Sequence, residues 1–247
     1  MHTLEIHQYE QREPRLGRHI VHDSRSKAYP ISLAVPPKPV DVFHVDHAPI
    51  LDQGNVGACV GFTGADFLNT DLALPVRNIQ NGGKWYSNAD GLKFYHMATV
   101  ADGFPGTYPP DDTGSSGLGL AKGLRKAGLI KSYEHAFNWD HLVAGLAVQP
   151  LCMGTPWTHS MFTPDANGVI TVGPINNSTL AGGHEWMLRG ISYTKGLAVG
   201  RNHWNAKWDI GGDANSGLNK ASGEFWITIA DLKTLLANHG DVTRLVI

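Results

Sequence analysis

The chain has 247 residues, 42% of them hydrophobic, enough to bury a sizeable core in one large domain or two packed lobes; that composition excludes a disordered or fibrous protein. Lys and Arg number 20 against 22 Asp and Glu, and neither sign forms a long run, so nothing points to nucleic acid as a partner. No apolar stretch reaches the roughly 20 residues that span a bilayer, Met1-His2-Thr3-Leu4-Glu5 lacks the basic-then-apolar start of a signal peptide, and Cys59 and Cys152 are the only cysteines. A reducing, cytoplasmic location with no membrane partner is therefore expected.

Residues 1–48 mix charged and histidine positions with the proline-rich Ala34-Val35-Pro36-Pro37-Lys38-Pro39, which predicts an extended arm. From residue 49 the texture changes. Gly54 and Gly57 mark a turn, and Val60, Phe67 and Leu68 then recur at helical spacing, predicting a buried helix with Cys59 in its first turn and two glycines inside it. Leu120, Ala121, Leu124 and Ala127 share one helix face opposite Lys122, Arg125 and Lys126, with Ser115 or Ser116 to cap the start and Gly128 to end it. Beyond about residue 148 the pattern becomes strand-like, at 151–154, 168–172, 184–193, 196–204, 224–229 and 242–247, with a short helix over 231–238. The polar stretch 209–222 reads as a long loop near a cleft rim. The result is an α+β protein, helical over about 49–147 and sheet-rich over about 148–247, with a cleft between the halves.

A thiol in the first turn of a helix gains thiolate character from the helix N-terminus and from a neighbouring imidazolium, and Cys59 is placed for both. Gln53, six residues upstream across a glycine turn, can fold its amide back so that it and the Cys59 N–H hold an oxyanion. His184 follows Ala181-Gly182-Gly183 and reads as opening a strand at the cleft, where a base belongs; alternation sends Glu185 to the opposite face. Asn202 can accept the imidazole N–H while Trp204 shields that bond from water. His203 competes for the role of base, but Asn202 beside it explains its position. His19 and His22, like His44 and His47, complete no ligand set, so neither a metal nor a cofactor is expected.

Gly57-Ala58-Cys59 with Gln53 upstream, Phe62 on the following helix, His184 and Asn202 at 125 and 143 residues after Cys59, and Trp204 two places on together resemble the papain-like cysteine peptidases. The likeness is to the compact kind found in bacteria and bacteriophages, and the family's signature sets its His and Asn roughly 130–150 residues after the cysteine. Gly114-Ser115-Ser116-Gly117 is similar to the glycine-rich edge that pairs with substrate backbone, and Gly223-Glu224-Phe225-Trp226-Ile227 to the Gly-Tyr-aromatic strand after the Asn motif; the resemblance spans about residues 49–230. Val56, Val60 and His203 depart from the usual Cys, aromatic and Ser.

The resemblance implies a two-lobe fold over 49–247, a helical N-terminal lobe and an antiparallel β-barrel-like C-terminal lobe with the cleft between them. It implies a catalytic triad of Cys59, His184 and Asn202, an oxyanion hole from Gln53 and Cys59, support from Trp204, and a peptide or protein substrate. Ser116, Gly117, Gly183 and Met153 would contact that substrate, with Gly154 and Trp157 beside Met153. The arm is too short for the large helical prodomain of many relatives, so residues 1–48 are expected to pack on the body or hold a protein partner. Two other readings stay open: an amidase or endopeptidase acting on the bacterial cell wall, and a scaffold or virion component that keeps the fold and binds through the arm.

Overall fold

The computed structural model describes residues 15–20, 24–36, 38–208 and 222–247, so the loop read over 209–222 lies almost wholly outside the described residues. Four helices build one side: α1 (Cys59–Asn69), α2 (Leu74–Asn81), α3 (Asn88–Asp102) and α4 (Gly117–Lys126). All residues of α1 are buried. Its glycines are there because its neighbours come close: a Cβ on Gly61 would overlap the Gly91 carbonyl and the Tyr95 main chain of α3, and one on Gly64 would stand 2.7 Å from Leu120 of α4. Ser116 caps α4 by accepting the Gly119 N–H, and Gly128 follows the helix at φ 71°.

The strands are β1 (Val42–Phe43), β2 (Ser132–Ala136), β3 (Leu151–Thr158), β4 (Val169–Ile170), β5 (Leu180–Ser192), β6 (Leu197–Arg201), β7 (Glu224–Thr228) and β8 (Asp241–Val246). They form one sheet in the order β2-β8-β3-β5-β6-β7-β4, with β1 added along β5. The pairings are antiparallel except β4 with β7, which is parallel. The expected barrel-like closure is corrected here: among the described residues β2 and β4, the two ends of the path, do not pair with each other, and a two-residue β4 offers too little edge to close on. β2 also joins the sheet from the stretch read as helical, because its Glu134–Arg244 ion pair and register with β8 come from residues over a hundred positions away.

Strand alternation splits the core in two. Cys152, Met187 and Leu245 face the helices, whereas Met153, Trp186 and Leu188 face away, towards α5 (Trp139–Leu146) and α6 (Ile229–Ala237). Between the clusters, α1 abuts β5 and β3. A buried ion network fastens that junction: Arg201 on β6 reaches Asp66 of α1 at 3.2 Å, Asp46 at 3.3 Å and Glu224 of β7 at 3.7 Å, and Arg189 of β5 binds Glu224 at 2.6 Å. Removing one partner of such a network typically costs about 3–5 kcal/mol, since it strands a buried charge. Among the described residues no helix is long and apolar enough to cross a membrane.

The contact between α1 and α3 is main chain against main chain, so no side chain can swing aside to admit a larger residue. Gly61→Val is expected to destabilise by about 1–3 kcal/mol, lowering Tm by roughly 2–4 °C per kcal/mol in a chain of this size. Thermal unfolding followed by circular dichroism checks this, and an unchanged Tm refutes the close-approach account.

Candidate active site

Cys59 is the first residue of α1, with Ala58 at the cap position and no side chain covering the helix start. Its sulfur lies within hydrogen-bonding reach of the main-chain N–H groups of Glu185, Gly17 and Val60, which sets it beside the His184–Glu185 segment of β5. His184 Nε2 is 2.9 Å from Asn202 Oδ1, and that same oxygen accepts the His203 N–H at 2.9 Å. A main-chain N–H can only donate, so the atom facing it is the amide oxygen. His184 Nε2 therefore carries hydrogen, and Nδ1 keeps its lone pair. Nδ1 is buried and has no hydrogen-bond partner among the described residues.

Aromatic rings enclose this pair. Trp204 tilts over the His184 ring at 4.6 Å between centroids, and Trp157 meets it nearly edge-on at 4.8 Å. The Trp204 indole N–H also donates to Gln53 Oε1 at 3.1 Å. Because indole nitrogen only donates, the Gln53 NH2 group is turned the other way, to the carbonyls of Val56 at 2.7 Å and Arg15 at 3.0 Å.

Arg15 belongs to the arm, and residues 15–20 run through the cleft as an extended peptide. Ser115 donates its N–H to the Gly17 carbonyl at 2.8 Å and accepts from the His19 N–H at 2.8 Å, while the Arg18 N–H donates to the Gly183 carbonyl at 3.0 Å. A Cβ on Gly17 would overlap the Gly57 carbonyl; one on Gly114 would overlap the Gly17 carbonyl, and one on Gly183 the Arg18 carbonyl. Those glycines make room for a backbone. Ala181-Gly182-Gly183 is accordingly no turn: β5 begins at Leu180, and His184 sits inside the strand instead of opening it.

One tyrosine sets the spacing of the opposite wall. Tyr95 of α3 donates its hydroxyl to Asp112 Oδ1 at 2.7 Å and accepts the Gly114 N–H at 2.7 Å, and Asp112 Oδ2 takes the Gly57 N–H at 2.9 Å. Both glycines that flank Gly17 are thus fixed from behind. Neither Tyr95 nor Asp112 carries a local sequence signal for this role.

Three solved structures are similar to the chain along most of its length. Xylellain, a cysteine protease from Xylella fastidiosa, is 18% identical, covers 96% of this chain and 98% of its own, and gives a TM-score of 0.67. Digestive procathepsin L 3 from Tenebrio molitor larval midgut is 15% identical over 96% of this chain and 77% of its own, with a TM-score of 0.51. The ragweed pollen allergen Amb a 11, a cysteine protease in its proform, is 15% identical over 86% and 68%, with a TM-score of 0.52. The fold is papain-like. No family model and no curated protein sequence matches the chain.

Within this papain-like cleft the remaining sequence candidates separate. Gly183 meets the arm through its carbonyl, and Gly117 lies where a Cβ would stand 3.1 Å from Glu185 Oε1. Ser116 caps α4, and its neighbour Ser115 supplies the main-chain contacts. Met153 packs in the core cluster that also takes in Leu16 of the arm, whereas Gly154 beside it faces Arg18 and Asp241. His203 turns to Asp66 at 3.4 Å, and burial together with Arg201 lowers it to about 3, so it stays neutral.

Burial pushes the Cys59 thiol up to about 12, with main-chain N–H groups opposing, and burial holds His184 well below the usual histidine value. The thiolate expected from sequence is therefore disfavoured while the arm covers the sulfur: neither charge has water to stabilise it. Across pH 7–10, alkylation of Cys59 by iodoacetamide is expected to rise steadily without a plateau, because a thiol raised this far stays mostly protonated throughout. Gly17→Val, which cannot coexist with the Gly57 carbonyl, should speed alkylation at pH 7.5 at least tenfold and bring the plateau below pH 9. Equal rates for the two proteins, read by mass spectrometry, would count against arm control of the thiol.

Proposed function

We propose that the protein is a cysteine peptidase whose nucleophile is Cys59, whose base is His184 oriented by Asn202, and whose resting state is held by residues 15–20. The observation that carries this reading is the oxygen of Asn202 shared between His184 Nε2 and the His203 N–H, which leaves Nδ1 as an unpartnered base among the described residues, one residue before the main-chain N–H that faces the Cys59 sulfur. Likeness to structures of cysteine proteases, two of them in precursor form, supports the same chemistry.

Once the arm leaves, water and a substrate carbonyl enter, and His184 takes the Cys59 proton. The sulfur bonds to the carbonyl carbon, and the oxygen takes up the negative charge between the Gln53 NH2 group, which already donates to the Arg15 carbonyl of the arm, and the Cys59 N–H. His184 gives its proton to the amine as the C–N bond breaks, leaving a thioester. Water then adds, with His184 accepting its proton, and the thiol and the carboxylic acid are released. Trp204 serves this sequence twice, by covering the imidazole and by fixing which end of Gln53 faces the oxyanion.

In a Gly17→Val background, Cys59→Ala is expected to abolish turnover of internally quenched peptides, and Gln53→Ala to lower kcat/KM by about 10²–10³ as for loss of one oxyanion donor. Turnover that survives Cys59→Ala sinks the assignment.

A further inference from the structure

Arg18 does more than bridge the two walls with its backbone. Its side chain is 2% exposed and enters a pocket lined by Gly154, Asp241 and the main chain of His239, with the Glu185 charge close enough to feel it. There its Nη2 binds Asp241 Oδ1 and donates to the His239 carbonyl at 2.9 Å, and its Nη1 donates to the Ile20 carbonyl at 3.2 Å. The pocket is built for this occupant. Gly154 has no side chain where a Cβ would stand 2.6 Å from both Arg18 Nε and Asp241 Oδ1, and His239 holds an unusual φ of 63° where its carbonyl meets the guanidinium.

Glu185 adds a second, independent sign. The residue is 1% exposed, and neither carboxylate oxygen has a hydrogen-bond partner among the described residues. Burial pushes it up to about 8, with Asp241 adding repulsion and Arg18 opposing. A buried acid without donors is costly and is retained where a ligand supplies the countercharge. The charge of Arg18 in the pocket opposes the rise that burial imposes on this acid, although no hydrogen bond joins the two side chains.

The geometry points to this pocket as the specificity site of the proposed peptidase, selecting substrates with an arginine side chain, and to Arg18 as its internal stand-in. The inference rests on the peptidase reading above. Asp241 and the His239 carbonyl both accept from the one guanidinium, with the Glu185 charge in support, and divided acceptors suit the planar donors of arginine better than the single ammonium of lysine.

Two measurements on the full-length Gly17→Val protein test it. In a positional library of quenched peptides, arginine at one position should exceed leucine at least tenfold in kcat/KM, with lysine between them, and Asp241→Asn or Glu185→Gln should reduce that ratio at least fivefold. Separately, the peptide Arg-Leu-Gly-Arg-His-Ile, matching residues 15–20, should protect Cys59 from iodoacetamide at a concentration at least tenfold lower than the same peptide carrying R18L. Cleavage without basic preference, or a ratio unmoved by Asp241→Asn, overturns the pocket and leaves the peptidase standing. Selective protection by the arginine peptide with no cleavage of any sequence upholds the pocket as a binding site and overturns the peptidase. Equal protection by both peptides overturns the pocket even if the protein variants fail to fold.

Discussion

One amide oxygen organises this cleft. Asn202 Oδ1 accepts from His184 Nε2 and from the His203 N–H at the same distance, so the asparagine cannot rotate without losing both and the imidazole cannot change tautomer without losing its donor. Everything proposed for the thiol presupposes that arrangement, because a ring with hydrogen on the wrong nitrogen cannot take a proton from sulfur. The rings of Trp204 and Trp157 then keep water from competing for the bond, which strengthens it in a region of low polarity. Behind it, Arg201 and its buried acids hold β6 against α1, so the loop that carries Asn202 starts from a fixed point.

Much of this is legible in the sequence because the residues involved have few chemical alternatives. Cys59 at a helix start, His184 on a strand and Asn202 before an aromatic carry the roles proposed for them in residue type and spacing, and α1, α4 and most of the strands follow from periodicity. What escapes is structure whose reason lies elsewhere in the chain. Helix α3 buries Gly91, Tyr95, Thr99 and Asp102 alongside its apolar residues, so it shows little apolar stripe, although Ser87 and Asp90 form a capping box at its start. Strand β2 reads Ser-Tyr-Glu-His-Ala and becomes a strand through its pairing with β8. The glycines mislead most. Gly182 and Gly183 read as turn formers, yet their missing side chains answer to the arm's Leu16 and Arg18, about 165 residues away.

Alternation along β5 separates Glu185 from the imidazole, as the sequence predicts, and a carboxylate on that opposite face has no part in orienting the base. The same alternation delivers it to the floor where Gly154, Gly117 and Asp241 converge, a convergence that only the folded chain reveals. In the proposed peptidase, a strand that carries the base on one face and a buried acid on the next residue links reactivity to recognition through a single peptide unit. That same unit supplies the N–H facing the sulfur. Chemistry and selection at this site are thus adjacent in the chain, and a shift of β5 in register would disturb both.

Because residues 15–20 are covalently joined to the cleft they fill, their grip need not be strong to be effective. A tethered segment competes at an effective concentration on the order of millimolar, so three main-chain hydrogen bonds and one buried guanidinium suffice to exclude free peptides that are far more dilute. Severing the chain between the cleft and its attachment to the body would dilute that competitor at a stroke. The threshold for switching on would then be set by the length and stiffness of the connecting stretch as much as by the contacts themselves.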